Sequence, residues 1–288
     1  MNILDDLKWQ YKMGGFEQKL IYWNIGIFLV SLIFFYQFKF GTFIFPNWLS
    51  LSSNPLIALT RPWTLVTYSF FHAGFLHLLF NMVVLNFSGR MFLTFFTQKQ
   101  FLGLYLLSAI FAGIVFVASY ALMGNGNSEI VGASAAIMAI LIAAATYSPM
   151  MNIRFLLIGN VKLWQFAFVI VVLDIISLAA ENTGGHISHL AGALFGFVYI
   201  KLLQTGTDLS KGVFFIFDKA DQIRNPKKAS PFKKVHRNYN IVPEKKVFKV
   251  VTKDKSQQQV DDILDKISKS GYDSLTKEEK EFLFKSGK

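Results

Sequence analysis

An all-α membrane protein is the architecture that this sequence implies, with six membrane-spanning helices followed by a small polar helical hairpin. Composition and charge distribution point there. The 288 residues are 53% hydrophobic and only 16% charged, against about a quarter charged in an ordinary globular domain. Mean hydropathy is +0.40. The charge is also divided unevenly: residues 1–204 hold 10 Lys and Arg and 6 Asp and Glu, whereas residues 205–288 hold 19 and 12. The first part is too poor in charge for a soluble domain, and the second is too rich in it for lipid. The chain has no cysteine, which excludes disulfides, thiolate catalysis and cysteine–zinc sites.

A bilayer crossing takes about 20 apolar residues. Leu20–Phe38 is the first candidate, bounded by Lys19 and Lys39. No small-residue cleavage site follows it, which argues against a cleavable signal peptide. Ala73–Phe92 is the second and Phe101–Met123 the third. Val131–Tyr147 is shorter and consists mostly of Ala, Gly, Ile and Met. Leu163–Ala180 is interrupted by Asp174, and His186–Leu203 closes the set. The expected organisation is an amino-terminal segment 1–19, a membrane domain 20–204, a basic linker 205–255 and a helical hairpin 256–288.

Six spans put both termini on one side. Lys and Arg collect in cytoplasmic loops. With the termini inside, the inner segments hold Lys8, Lys12, Lys19, Arg90, Lys99, Arg154, Lys162 and the basic tail, and the outer loops hold only Lys39 and Arg61. A basic tail on a membrane core reads as a solvated segment drawn to anionic headgroups, so nucleic acid is not an expected partner. The outer loop from Lys39 to His72 is long and aromatic, with Phe43, Phe45, Trp48, Trp63 and Tyr68. By composition it fits a folded interfacial piece and a plain aromatic belt equally well.

In the tail, Gly212–Phe217 is an apolar patch that fits either a membrane-surface segment or an ordinary linker. Val260, Ile263, Leu264 and Ile267 follow the i, i+3, i+4, i+7 pattern of an amphipathic helix. Ser270-Gly271 reads as its stop. Thr276-x-x-Glu279 reads as a capping box opening a second helix through Phe284.

Polar side chains inside spans are costly and mark candidate sites. His77 and Asn81, at i and i+4, share one helical face. Alone, the pair reads as interhelical hydrogen bonding. Ser134 follows Gly132 at the start of the fourth span, where free N–H groups of a helix end point at any nearby anion. Alone, it reads as a packing residue. His189 lies one turn from Gly192, which forms a small-xxx-small face with Gly196. Topology joins these signals. Spans two, four and six all start on the outer side, so His77, Asn81, Ser134 and His189 share one depth, roughly 5–12 Å below the surface at 1.5 Å per residue. A serine, an imidazole and two further donors at one level are the minimum set for acyl transfer.

His-x4-His-x3-Asn on span two, Gly-x-Ser on span four and His-x2-Gly-x3-Gly on span six resemble the rhomboid intramembrane serine proteases of bacterial type. The resemblance covers roughly residues 20–204. It implies a six-helix bundle and a Ser–His dyad without an acid, cleaving transmembrane protein substrates near the outer membrane face. Carried over, Ser134 is the nucleophile and His189 its general base. His77, Asn81 and the Ser134 N–H form the oxyanion hole. His72, Gly132, Gly192 and Gly196 are structural near the site. The family's Gly-x-Ser-Gly reads Gly132-Ala133-Ser134-Ala135 here, and its outer-loop Trp-Arg pair is replaced by Arg61-Pro62-Trp63. Because the family does without an acid, Asp174 reads as a helix–helix or water-cavity contact. His186 lacks the Gly-x3-Gly spacing behind it, so His189 is preferred as the base. The tail resembles the short helical pair appended to some bacterial rhomboids.

The implied enzyme is a multi-pass serine endopeptidase of a bacterial cytoplasmic membrane, with both termini cytoplasmic. It needs neither cofactor nor metal, and its partners are membrane lipid and transmembrane substrates. The alternative is a catalytically impaired relative that binds or escorts membrane proteins. A transporter is disfavoured, because the long outer loop has no counterpart in the second half.

Overall fold

In the computed structural model, residues 2–124, 126–155, 159–179, 182–224 and 255–286 are described. The chain divides into two compact units, Met1–Lys227 and Lys228–Lys288.

The first unit opens with α1 (Ile3–Met13) and α2 (Phe16–Phe34). The expected first span reached Phe38, but the helix stops at Phe34. Tyr36–Gln37 (β1) then pairs antiparallel with Thr42–Phe43 (β2), through a turn at Gly41 with φ +64°. The apolar run hides this break because it continues as aromatic residues. Tyr36 and Phe43 meet edge-on with centroids 4.9 Å apart, and Phe43 stacks on Phe45 at 5.5 Å. The rest of the loop is also folded. Leu51–Ser52 (β3) is followed by the short helices α3 (Pro55–Thr60) and α4 (Thr64–Thr67) and a 3-10 turn at Tyr68–Phe70. Trp63 Nε1 donates to the Trp48 carbonyl at 2.9 Å, and Arg61 donates to the Asn47 side chain. A folded piece, rather than a plain aromatic belt, therefore fills this loop.

Helices α5 (Phe75–Leu93) and α6 (Gln98–Met123) follow. A reciprocal capping box opens α6: Gln100 N–H donates to Thr97 Oγ1 at 3.2 Å, and Thr97 N–H donates to Gln100 Oε1 at 2.9 Å. Gly124, left-handed at φ 64°, closes it. Two buried tyrosines bind the loop to this helix. Tyr68 donates to the Ala109 carbonyl, and Tyr105 to the Ser69 carbonyl, both at 2.9 Å. Glu129–Ile130 (β4) pairs with β3.

Helix α7 (Ser134–Tyr147) is the centre of the bundle. It contacts α5, α6, α8 (Leu163–Ser177) and α9 (Thr183–Gln204). Most of its side chains are buried, and many are alanine, which gives high helix propensity at little width. Its approach to α9 is close. A Cβ on Gly192 would run into the Ala135 carbonyl oxygen, and one on Gly196 into the Ala139 carbonyl oxygen. Only glycine permits that contact between backbones. Between α7 and α8, Asn152–Phe155 (β5) and Gly159–Lys162 (β6) form a hairpin.

Helices α5, α6 and α9 are long and apolar enough to cross a membrane, and α7 and α8 are apolar but shorter. The outward faces carry large hydrophobic residues, including Ile33 and Phe34 on α2, Leu76 and Phe80 on α5, Phe168 and Ile176 on α8, and Leu194 and Phe197 on α9. Apolar surface on this scale marks a lipid-facing protein.

Residues 205–224 were expected to be linker. They instead include α10 (Ser210–Arg224), which packs on α6, with Ser210 seated against Gly103. Asp208 organises this corner. Its Oδ1 accepts from the Ser210 N–H at 2.9 Å and Tyr199 Oη at 3.3 Å, and its Oδ2 accepts from Gln100 Nε2 at 3.2 Å. The remainder of the expected linker, 225–254, lies outside the described residues.

The second unit contains α11 (Lys255–Ser270) and α12 (Lys277–Ser286). Gly271, at φ +78°, ends α11. Thr276 and Glu279 form the expected reciprocal capping box, with bonds of 2.8 and 3.3 Å. Lys266 Nζ donates to both Glu279 oxygens at 2.9 Å, which joins the two helices.

Candidate active site

The segment before α7 sets the position of Ser134. Gly132 takes φ +141°, a conformation that disfavours any side chain, and its N–H donates to the Tyr68 carbonyl at 2.9 Å. The chain then turns directly into α7, so helix starts at Ser134 rather than at the expected Val131. Ser134 occupies the first helical position, where N–H groups lack intrahelical partners. Ala135 lies inside regular helix, so alanine replaces glycine at that place without backbone strain. Its backbone is the surface against which Gly192 closes.

The α7–α9 contact brings two side chains together across 55 residues of sequence. Ser134 Oγ lies 2.6 Å from His189 Nε2. The other ring nitrogen, His189 Nδ1, lies 2.8 Å from Asp174 Oδ1 on α8. His186 Nδ1 reaches the same oxygen at 2.7 Å. An ionised carboxylate only accepts, so with Asp174 ionised the two contacts fit histidines that carry a proton on Nδ1. His189 Nε2 then presents its lone pair to the Ser134 hydroxyl. Asp174 is the residue that the sequence reading left out of the site. The expected helix–helix or cavity contact is there, α8 to α9 at the cavity wall, and its partner is the imidazole that meets Ser134.

His77 comes from α5. A Cβ placed on Gly132 would sit 3.0 Å from His77 Nε2 and 3.4 Å from Ser134 Oγ. Glycine therefore leaves open a spot within reach of both groups. Asn81, one turn further along α5, donates one amide hydrogen to the His77 carbonyl at 2.9 Å. His72 is fully buried and meets the His77 ring edge-on at 5.1 Å.

His77, Asn81, Ser134, Asp174 and His189 line one cavity of about 400 Å³. Its polar patch is His77, Asn81, Ser134, Asp174, Ser177, His186 and His189. Its apolar wall includes Phe80, Met138, Leu141, Ile170 and Leu173. Such a cavity can admit an extended peptide with an apolar side chain. Asp174, His186 and His189 also present potential metal-ligand atoms within 4.8 Å of one another. However, two of the separations are hydrogen-bond lengths, shorter than the roughly 3.3 Å between ligands around a tetrahedral zinc with bonds near 2.0–2.1 Å. The cluster is therefore built as a hydrogen-bonded chain.

The rhomboid domain family matches residues 59–205, which takes in every one of these side chains. The chain belongs to the rhomboid family. A family of unknown function, DUF6576, matches residues 250–285, the region of α11 and α12. Among similar proteins, the presenilin-associated rhomboid-like protein A, mitochondrial, of Danio rerio is 32% identical over 155 residues, covering 52% of this chain and 39% of that protein. The presenilin-associated rhomboid-like proteins, mitochondrial, of Rattus norvegicus and Mus musculus are each 32% identical over 154 residues, covering 52% of this chain and 40% of theirs. The match thus spans about two fifths of these curated relatives. This rhomboid brings together all four polar residues singled out from the sequence, His77, Asn81, Ser134 and His189, and adds Asp174 and His186 to them.

Proposed function

We propose that this rhomboid is an intramembrane serine protease that hydrolyses peptide bonds of transmembrane proteins. The observation that carries the reading is the 2.6 Å contact between Ser134 Oγ and His189 Nε2, inside a cavity walled by bundle helices. Ser134 Oγ attacks the scissile carbonyl carbon while His189 Nε2 takes its proton. The oxyanion is held by the His77 ring, the second Asn81 amide hydrogen and the Ser134 N–H. Losing one such donor costs about a hundredfold or more in rate. His189 then returns the proton to the leaving amine. Water enters, His189 takes a proton from it, and the acyl ester on Ser134 is hydrolysed.

Six spans, α2 and α5 to α9, would carry this site near the outer face of a bacterial cytoplasmic membrane, with both termini inside. The Lys and Arg distribution supports that orientation. Residues 1–19 then serve as a cytoplasmic segment, 20–224 as the enzyme with α10 packed on it, and 256–288 as an appendage. The substrate is a membrane protein whose helix unwinds locally to enter the cavity as extended chain.

The test is cleavage of a panel of transmembrane reporters in proteoliposomes, beside labelling of Ser134 by a serine-reactive fluorophosphonate. Ser134→Ala abolishes both while the protein stays folded. A Ser134→Ala variant that still cleaves removes Ser134 from the mechanism. A wild-type protein that neither cleaves nor labels supports the escort reading instead.

A further inference from the structure

We propose that Asp174 is a positioning acid for catalysis, so that this rhomboid works with a Ser134–His189–Asp174 relay in which His186 clamps the acid. The inference rests on the protease reading above and deepens it.

Three observations carry it. The first is the chain of contacts: Ser134 Oγ to His189 Nε2 at 2.6 Å, then His189 Nδ1 to Asp174 Oδ1 at 2.8 Å. An imidazole that must accept from serine at Nε2 needs its proton on Nδ1, and a carboxylate at hydrogen-bond distance fixes that tautomer and the ring plane. The second is burial. Asp174 is 7% exposed, on a helix otherwise built for lipid. A carboxylate there is costly unless several donors satisfy it. Among the described residues its two donors are both Nδ1 groups of the site. The third is His186, whose Nδ1 sits 2.7 Å from the same Oδ1. His186 and His189 are three residues apart on α9 and so share a face. The acid is therefore held by a second imidazole besides that of His189.

During the attack His189 Nε2 gains the Ser134 proton and the ring becomes a cation. Asp174 remains ionised, holds Nδ1–H and stabilises the new charge. The proton leaves His189 for the leaving amine, so Asp174 exchanges none. The competing explanation is that Asp174 merely ties α8 to α9.

The two explanations separate in proteoliposomes containing the full-length protein. The variants are Asp174→Asn, Asp174→Glu and His186→Gln, with wild type and Ser134→Ala as references. The readouts are kcat and KM on a transmembrane reporter, the rate of Ser134 labelling by an uncharged fluorophosphonate, and the thermal midpoint. Asp174→Asn should lower kcat and labelling together, by about a hundredfold or more, with KM within about twofold. Asp174→Glu should recover part of the loss, because a carboxylate is restored. His186→Gln should lower kcat by about tenfold or less, since the relay itself persists.

Wild-type labelling in Asp174→Asn overturns the proposal, as does a fall in thermal midpoint with unchanged kcat. If Asp174→Asn does not fold, nitrogen NMR of labelled histidines in the wild type decides. A protonated Nδ1 and bare Nε2 on His189 uphold the relay, and the opposite tautomer refutes it. Absence of labelling in the wild type defeats the protease reading itself, and this inference with it.

Discussion

Gly192→Ala tests whether the spacing of two helices sets the rate. The added methyl group meets the Ala135 carbonyl oxygen, with Ala135 C at 2.9 Å and Cα at 3.2 Å behind it. All three are backbone atoms of α7, so no side chain can turn aside. Relief takes about 1 Å of separation between α7 and α9, because close-packed interiors have no slack to absorb it. His189 is one turn from Gly192, and Ser134 is next to Ala135, so the separation falls largely on their contact. A bond of 2.6 Å then lengthens to about 3.6 Å, beyond useful proton transfer. A misplacement of 1 Å costs about 100-fold in rate, or about 2.7 kcal/mol of barrier. Overpacking should also lower stability by about 1–3 kcal/mol. The assay is reporter cleavage in proteoliposomes under single-turnover conditions, with folded fraction measured in the same preparation. Gly26→Ala is the control, because a Cβ there meets nothing within 4 Å. Gly192→Ala cleaving at the wild-type rate per folded molecule would refute the argument, and so would equal losses in both variants.

Further outcomes concern the loop and the tail. Tyr68→Phe removes a buried hydroxyl bonded to the Ala109 carbonyl; it should cost about 0.5–1.5 kcal/mol in thermal unfolding, with the loop detaching first in hydrogen exchange. Glu279 is held below its usual carboxylate range, chiefly by the Lys266 hydrogen bonds and then by the Thr276 N–H. A depressed carboxylate stabilises the folded form above its unfolded value of 4.5 and loses that contribution as pH falls through the lower, folded value. Amide exchange across α11 and α12 in the full-length protein should therefore be flat from neutral pH to about 5 and quicken below 4.5, apart from the intrinsic pH trend. Lys266→Ala should flatten that acid response.

Much of the fold was legible because lipid enforces a simple code. Apolar runs poor in charge marked the long helices, and polar exceptions such as Ser134 and His189 marked the candidate site. What escaped depended on contacts rather than composition. The end of α2 at Phe34 was hidden because the strand after it is as apolar as the helix. Helix α10 was read as a possible linker because its apolar patch sits among charges; its anchor is Ser210 against Gly103, a fit that no periodicity announces. The hairpin of β5 and β6 was invisible in residues read only for their positive charge. Asp174 is conspicuous in the sequence as an acid within a span. The signal for it was present: an acid near the end of one span and two histidines, three residues apart, at the start of the next. A tight connection between consecutive helices brings those positions face to face. The resemblance to enzymes without an acid outweighed that cue.

The 14-residue length of α7 has a consequence beyond packing. At 1.5 Å per residue it spans about 21 Å, against a hydrocarbon slab of about 30 Å. The helix bearing Ser134 is shorter than that slab, whereas α5, α6 and α9 around it have 19, 26 and 22 residues. On the protease reading, water has to reach Ser134 within that slab, whose thickness is set by the lipids rather than by the protein alone. On that reading, bilayer thickness would act on turnover without any ligand or change of sequence.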